Sequence, residues 1–286
     1  MKFNIIIPSI QLSSELKYTL KKLENLSYKK FFVTIILDKK NFIKKPKYKY
    51  KLNILIVGKK SMSFKRNLAA KKFKTDYLAF LDSDAYPNKD WLKNAKKLFN
   101  NNKLDAIGGP SIPFPKQKFS ELISYYAKRS YFVTGYLNFR KYLSSDRFCH
   151  WLESCNLIIS KKNFLKYGGM DESKYLGEDK IFFDKVNKKN SNFKTFFSKK
   201  LFIYHKEREY KKFLIQRFSF GTDLLNILGF GNFYKSYQPL LPMMMLIFSC
   251  LGIFAGLKEI YYIIFVIVII SLIQLMIIID VSKYLK

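Results

Sequence analysis

Short apolar runs and helix-spaced polar stretches alternate along the first two-thirds of the chain. FNIIIP (3–8), FFVTIILD (31–38), LNILIVG (52–58) and YLAFLD (77–82) are brief and rich in β-branched or aromatic residues, which predicts strands. Between them the period changes. Leu16, Leu20, Leu23 and Leu26 recur at helical spacing in SSELKYTLKKLENL (13–26), behind serines placed to cap. SFKRNLAAKKF (63–73) and NKDWLKNAKKLF (88–99) predict two further helices. Such alternation predicts an α/β domain: a mostly parallel sheet with helices on both faces. Ligands of these sheets sit beyond the carboxyl ends of the strands. Asp38 and Asp82 both fall at such ends.

The pattern weakens after Gly109. PSIPFPKQ (110–117) reads as a proline-rich loop. FSELISYYAKRSYFVTGYLNFRKYL (119–143) mixes aromatic and basic residues and reads as an amphipathic helix or mobile loop near the membrane or acceptor, or equally as an ordinary surface helix with aromatic packing. CNLIIS (155–160) predicts another strand, followed by a helix over 161–167 and a Gly168-Gly169 turn. GEDKIFFDKV (177–186) opens a helix with two acids, which the helix dipole favours. LFIYH (201–205) predicts a strand ending on His205, and REYKKFLIQRFSFG (208–221) a basic amphipathic helix suited to lying at lipid headgroups.

Beyond residue 238 the chain changes character. No charge occurs from Pro239 to Leu257, or from Ile260 to Ile279, and only Lys258-Glu259 separates the two runs. Each run approaches the roughly 20 residues that cross a bilayer core. Buried core helices are the alternative, but they carry a polar face and these runs show almost none. A transmembrane hairpin is expected over 239–281, with a short tail at 282–286. The lysine-rich body and the tail place both ends on the cytoplasmic side of the membrane. The expected organisation is then a catalytic domain over 1–206, an interfacial helical segment over 207–238, the hairpin and the tail. Met1-Lys2 precedes FNIIIPSI, a run too short for a signal peptide core and interrupted by Pro8, so no cleaved leader is expected.

Charge sharpens the picture. The chain has 286 residues, with 52 Lys and Arg against 21 Asp and Glu, a formal net charge of +31. The excess favours anionic partners such as nucleotide phosphates or an anionic membrane. Lysine dominates it, alongside abundant Asn, Ile, Tyr and Phe, so an AT-rich coding bias is an equal explanation. No RRM-type or KH-type signature is present, and nucleic acid is not expected as a partner. Cys149, Cys155 and Cys250 form no CxxC pair, and their spacing fits neither a disulfide framework nor a common zinc site.

Asp82-Ser83-Asp84 ends an apolar strand on two carboxylates one residue apart. Such a pair makes chemical sense if it holds Mg²⁺ or Mn²⁺, which take oxygen ligands and share them with substrate phosphates. The metal would neutralise a departing diphosphate. A solvated turn with capping acids is the plain alternative for an isolated D-x-D.

Taken in order, the N-terminal IIIP strand, Asp38, KRNLA (65–69), FLDSDA (80–85), CNLIIS, GGMDE (168–172) and GED (177–179) resemble glycosyltransferase family 2, inverting nucleotide-sugar transferases of GT-A fold. The resemblance spans about residues 3 to 220. It implies that Pro8 and Ser9 line the nucleotide pocket and that Asp38 bonds the base, usually uracil. It implies that Arg66 and Asn67 lie beside the nucleotide. Asp82, with Ser83 beside it, would reach the ribose or metal-bound water, and Asp84 would hold the metal. Asp179 would be the catalytic base, with Glu178 positioning the acceptor or the base. His205 would contact metal or diphosphate. The cofactor implied is Mn²⁺ or Mg²⁺. Displacement at the anomeric carbon by one base and no covalent nucleophile gives inversion.

Two features depart from the family. LDKK replaces the frequent DDGS after the second strand, keeping one acid. Gln216-Arg217-Phe218 lacks the tryptophan of processive synthases, and two spans are too few for a translocation channel. Transfer of one sugar to a lipid-linked or envelope glycan acceptor is therefore expected. The alternative is a catalytically inactive GT-A-like domain or a basic membrane-tethered binding protein.

Overall fold

The computed structural model describes residues 1–42, 44, 46–173, 177–228, 247, 251 and 260–282. It divides into two compact units, Met1–Gln117 with Arg140–Glu207, and Lys118–Phe139 with Arg208–Lys286.

The first unit is built on a sheet of eight strands. They are β1 (Phe3–Pro8), β2 (Phe31–Leu37), β3 (Lys51–Ile56), β4 (Tyr77–Leu81), β6 (Ala106–Gly108), β8 (Arg147–Phe148), β9 (Asn156–Ser160) and β10 (Thr195–Phe197). The sheet order is β3-β2-β1-β4-β9-β6-β10-β8. The first four strands in that order are mutually parallel. Every residue of β1 and β2 is buried, as expected of parallel strands covered on both faces. Helix α1 (Ser14–Leu23) packs Leu16, Leu20 and Leu23 into that core, and Ser13 caps it by accepting from the Leu16 N–H. Helix α2 (Met62–Lys72) carries Lys65, Arg66 and Asn67 on its buried side. Helices α3 (Trp91–Asn101), α6 (Lys161–Lys166) and α7 (Glu178–Lys189) complete the layers used below.

Strand β9 runs against both neighbours. Leu81 pairs with Asn156, and Gly108 with Leu157. Its first residues therefore lie at the same edge as the last residues of β4. A hydrophobic pattern shows that CNLIIS is a strand but is silent on its direction.

A second sheet has the order β5-β11-β7, formed by Ala85–Pro87, Ile203–His205 and Ser111–Pro113. The loop expected at 110–117 thus contains β7. Strands of three residues are too short to show a period, so β5, β6, β7 and β10 were invisible to pattern. Asn156 joins the two sheets. It accepts from the Trp91 indole N–H at 3.0 Å and donates to the Gly109 and Leu201 carbonyls at 2.9 and 2.8 Å. Gly109 lets the 198–201 turn pass close by, because a Cβ there would sit 2.5 Å from the Ser198 carbonyl oxygen and 2.6 Å from that of Leu201.

The second unit contains α4 (Phe119–Arg129), α5 (Tyr131–Thr134), α8 (Tyr210–Leu228) and α9 (Ile260–Ser282). Residues 118–139, expected within the catalytic domain, group with the C-terminal helices. Three contacts explain the grouping. Lys118 pairs with Glu209 at 3.2 Å, Lys128 lies 5.9 Å from the centre of the Phe213 ring, and Asp280 accepts from the Ser130 hydroxyl at 2.9 Å. The first expected span, 239–257, falls outside the described residues except at 247 and 251, and the tail at 283–286 lies outside them altogether. The second expected span coincides with α9, of whose side chains only part are described. Among the described residues, no helix is long and apolar enough to cross a membrane.

Candidate active site

The carboxyl edge of the large sheet gathers the predicted residues. Pro8 ends β1, Asp38 follows β2 and Asp82 follows β4. The parallel register aligns them, with Pro8 opposite Ile36 and Ile6 opposite Phe80. The chain then turns through Ser83, whose carbonyl accepts from the buried Thr19 hydroxyl at 3.0 Å. Antiparallel pairing of β5 with β11 sets His205 opposite Ala85. That pairing delivers a histidine from more than a hundred residues away to the aspartate pair.

His205 Nε2 lies 3.5 Å from Asp82 Oδ2 and 3.6 Å from Asp84 Oδ1. Ligand atoms of the three residues all fall within 4.8 Å of one another. His205 Nδ1 lies 2.8 Å from the Lys206 carbonyl oxygen. A carbonyl only accepts, so Nδ1 carries the proton and Nε2 is turned toward the carboxylates. This is the arrangement of a metal-binding imidazole oriented by a backbone carbonyl. Two carboxylates and one imidazole fit an oxygen-preferring divalent ion such as Mn²⁺ or Mg²⁺. Without an ion, burial lowers the proton affinity of His205, but Asp84, Asp82 and Glu207 outweigh it and raise the pKa to about 9.

The second acidic cluster belongs to the same site. Arg66, only 3% exposed, donates from Nη2 to Asp82 Oδ1 at 3.1 Å and from Nη1 to Glu178 Oε1 at 2.8 Å. One guanidinium therefore joins the D-x-D turn to the start of α7. Ser154, just ahead of β9, adds a second link. Its N–H donates to Asp179 Oδ2 at 2.9 Å and its hydroxyl to Glu178 Oε1 at 3.2 Å. Burial, then the neighbouring Glu178 carboxylate, pushes the Asp179 pKa up to about 7, against the pull of the Ser154 and Lys180 N–H groups. Such a carboxylate is poised to take up a proton near neutral pH.

The other predicted residues are present with altered surroundings. Asp38 Oδ1 pairs at 2.6 Å with Lys65, which is fully buried and also donates to the Ser9 carbonyl at 2.8 Å. Lys65 thus ties the ends of β1 and β2 together. It lies within the KRNLA stretch, but a lysine facing inward from a helix has no sequence signal of its own. Asn67, expected beside the nucleotide, has its amide hydrogen-bonded within the protein. Its Nδ2 donates to the Met170 carbonyl at 2.8 Å and to Glu172 Oε1 at 2.9 Å, and its Oδ1 accepts from the Met170 N–H at 3.0 Å. Its amide is engaged by the GGMDE loop. Gly169, at φ +71°, fits against it, and a Cβ there would meet Asn67 Oδ1 at 2.5 Å. Ser154 was missed because its role depends on the direction of β9.

A family model described as "Glycosyltransferase like family 2" matches residues 6–220. No curated protein matches the chain by sequence. Solved structures share its fold. S. aureus TarS superimposes with a TM-score of 0.52 at 16% identity, covering 79% of this chain and 40% of that one. S. aureus TarS 1-349 in complex with UDP-GlcNAc gives 0.53 at 18% identity, covering 79% of this chain and 67% of that one. The same fragment in complex with UDP gives 0.50 at 17%, covering 79% and 66%. The chain spans about 40% of the length of the first of these proteins. On a family match that takes in the D-x-D turn, Arg66 and the Glu178-Asp179 pair alike, the chain belongs to glycosyltransferase-like family 2.

Proposed function

We propose that the protein is a metal-dependent, inverting glycosyltransferase. It moves one sugar from a UDP-sugar to a lipid-linked or envelope glycan acceptor at the cytoplasmic face of a membrane. One observation carries the assignment: Arg66 bridges Asp82 and Glu178, so both acidic clusters face one site. The complex of S. aureus TarS 1-349 with UDP-GlcNAc supports a UDP-linked donor by likeness of fold.

Each residue has a distinct task. Asp38, fixed by Lys65, reads the base, while Pro8, Ser9 and Ser83 shape the pocket edge. Asp82, Asp84 and His205 would hold Mn²⁺ or Mg²⁺, which as a Lewis acid would neutralise charge on the leaving diphosphate. Asp179 accepts the proton of the attacking hydroxyl. Arg66 holds the Glu178 carboxylate in place, and Asn67 fixes the loop that leads into α7. With no covalent nucleophile, attack from the face opposite the diphosphate inverts the anomeric carbon.

The uncharged runs at 239–257 and 260–279 would anchor the chain. The outward-facing Leu214, Ile215 and Phe218 of α8, flanked by lysines, would rest among the headgroups of anionic lipid.

Hydrolysis of a panel of UDP-sugars in Mn²⁺ tests the assignment. Release of UDP from at least one donor is expected. Asp179→Asn should lower it by at least about a hundredfold, the order that loss of a general base costs, and Asp84→Asn, which loses a metal ligand and its charge, by at least about tenfold. Wild-type turnover in either variant, or retention on polyanions without any UDP-sugar turnover, refutes it.

A further inference from the structure

Lys141 and Glu153 lie beside the site without a part in the chemistry above. Lys141 closes the 3-10 turn Gly135–Lys141, where the chain returns to the first unit. Its ammonium donates to the Ser111 hydroxyl at 2.8 Å and lies 3.1 Å from Glu153 Oε2. The Lys141 side chain is 13% exposed and that of Glu153 29%. Desolvating two charges offsets most of their attraction, so a pair this deep is a poor source of stability. Its position offers a better reason. Glu153 directly precedes Ser154, which holds both Asp179 and Glu178.

The charges nearby agree. Glu153 adds to burial and to Glu178 in raising the proton affinity of Asp179. The Cys155 thiol, 4.0 Å from Glu153 Oε2, is pushed well up by burial, then by Glu153 and Asp82, so it stays neutral. Burial works against the Lys141 ammonium, but the Glu153 carboxylate, with Glu207 behind it, outweighs burial and the ammonium keeps its proton. Arg66 reaches Asp179 only through Glu178.

We propose that Glu153, held by Lys141 and Ser111, is a positioning residue for Asp179, acting through the Ser154 turn and through its own charge. The inference rests on Asp179 being the base. In donor hydrolysis a water oxygen bonds to the anomeric carbon and the bond from that carbon to the diphosphate oxygen breaks. The electron pair leaves with the diphosphate, and the water proton passes to Asp179. Glu153 takes no part in bond making.

The test is the pH profile of UDP release by the full-length protein in Mn²⁺, using the fastest donor of the UDP-sugar panel. Glu153→Gln removes a negative charge near the base, so the acid limb should move to lower pH by about one unit. Lys141→Gln leaves Glu153 less compensated, so the limb should move to higher pH. The double variant, which removes a neutral pair, should return close to wild type. A merely structural pair would change rates or melting temperature and leave the midpoint fixed. An unmoved midpoint in Glu153→Gln, or displacement in the same direction in both single variants, overturns the proposal. If Lys141→Gln fails to fold, the more conservative Glu153→Gln decides alone. Full turnover in Asp179→Asn would instead overturn the assignment of the base.

Discussion

At the residue scale, Arg66 and Asp179 bear most of the account. Arg66 can serve both acidic clusters because its planar fork offers separate donors to two carboxylates, which a lysine cannot reproduce. Asp179 holds its proton to about pH 7 in the folded chain but only to its ordinary 3.8 when unfolded. Its contribution to folding is therefore fully present below pH 4 and is lost as pH rises through 7. Asn cannot ionise. Between pH 5 and pH 8.5, the stability of Asp179→Asn relative to wild type should rise by on the order of 2 kcal/mol, read by urea unfolding at each pH. A pH-independent difference would contradict the buried, proton-holding carboxylate. Asp82, Asp84, Arg66, Glu178 and Asp179, which the structure brings together, were legible as candidates because each sits in a contiguous motif of the family. Lys65, Ser154, Glu153 and Lys141 were not, because each acts through neighbours distant in sequence. Asn67 was legible as a site residue but not as one whose amide is spent on a loop.

At the element scale, two strand pairings create the site. Reversal of β9 brings Glu153 and Ser154 to the edge that carries Asp82, and the pairing of β5 with β11 brings His205 there. Periodicity revealed the long parallel strands and the capped helices. It missed the three-residue strands other than β11, whose partners β5 and β7 fix the geometry. The β5–β11 pairing has a measurable consequence. Without metal, His205 binds a proton up to about pH 9, and that proton must leave before Nε2 can hold an ion. Mn²⁺ affinity should rise with pH between 7 and 9, approaching tenfold per pH unit, with a proton released on binding. Calorimetry in buffers of different ionisation enthalpy would report it. His205→Asn should flatten the slope, and an unchanged slope in that variant would remove His205 from the metal site.

At the scale of the whole molecule, composition gives only a coarse outline. A 49% hydrophobic fraction supports a large core, and the +31 net charge suits both a nucleotide and an anionic bilayer. The grouping of residues 118–139 with the C-terminal helices was not legible. Residues 118–139 join the C-terminal helices through Glu209, Phe213 and Asp280, all contacts with partners far along the chain. The central claim is that one cleft holds two acidic clusters with separate duties, one gripping the nucleotide and the other activating the acceptor. UDP binding, measured by calorimetry with and without Mn²⁺ in wild type, Asp84→Asn and Asp179→Asn, addresses it most directly. Wild type and Asp179→Asn should bind UDP with similar, Mn²⁺-dependent affinity, and Asp84→Asn should bind at least about tenfold more weakly, the loss of one charge-assisted contact. Equal affinity in all three proteins, or binding indifferent to Mn²⁺, would contradict it.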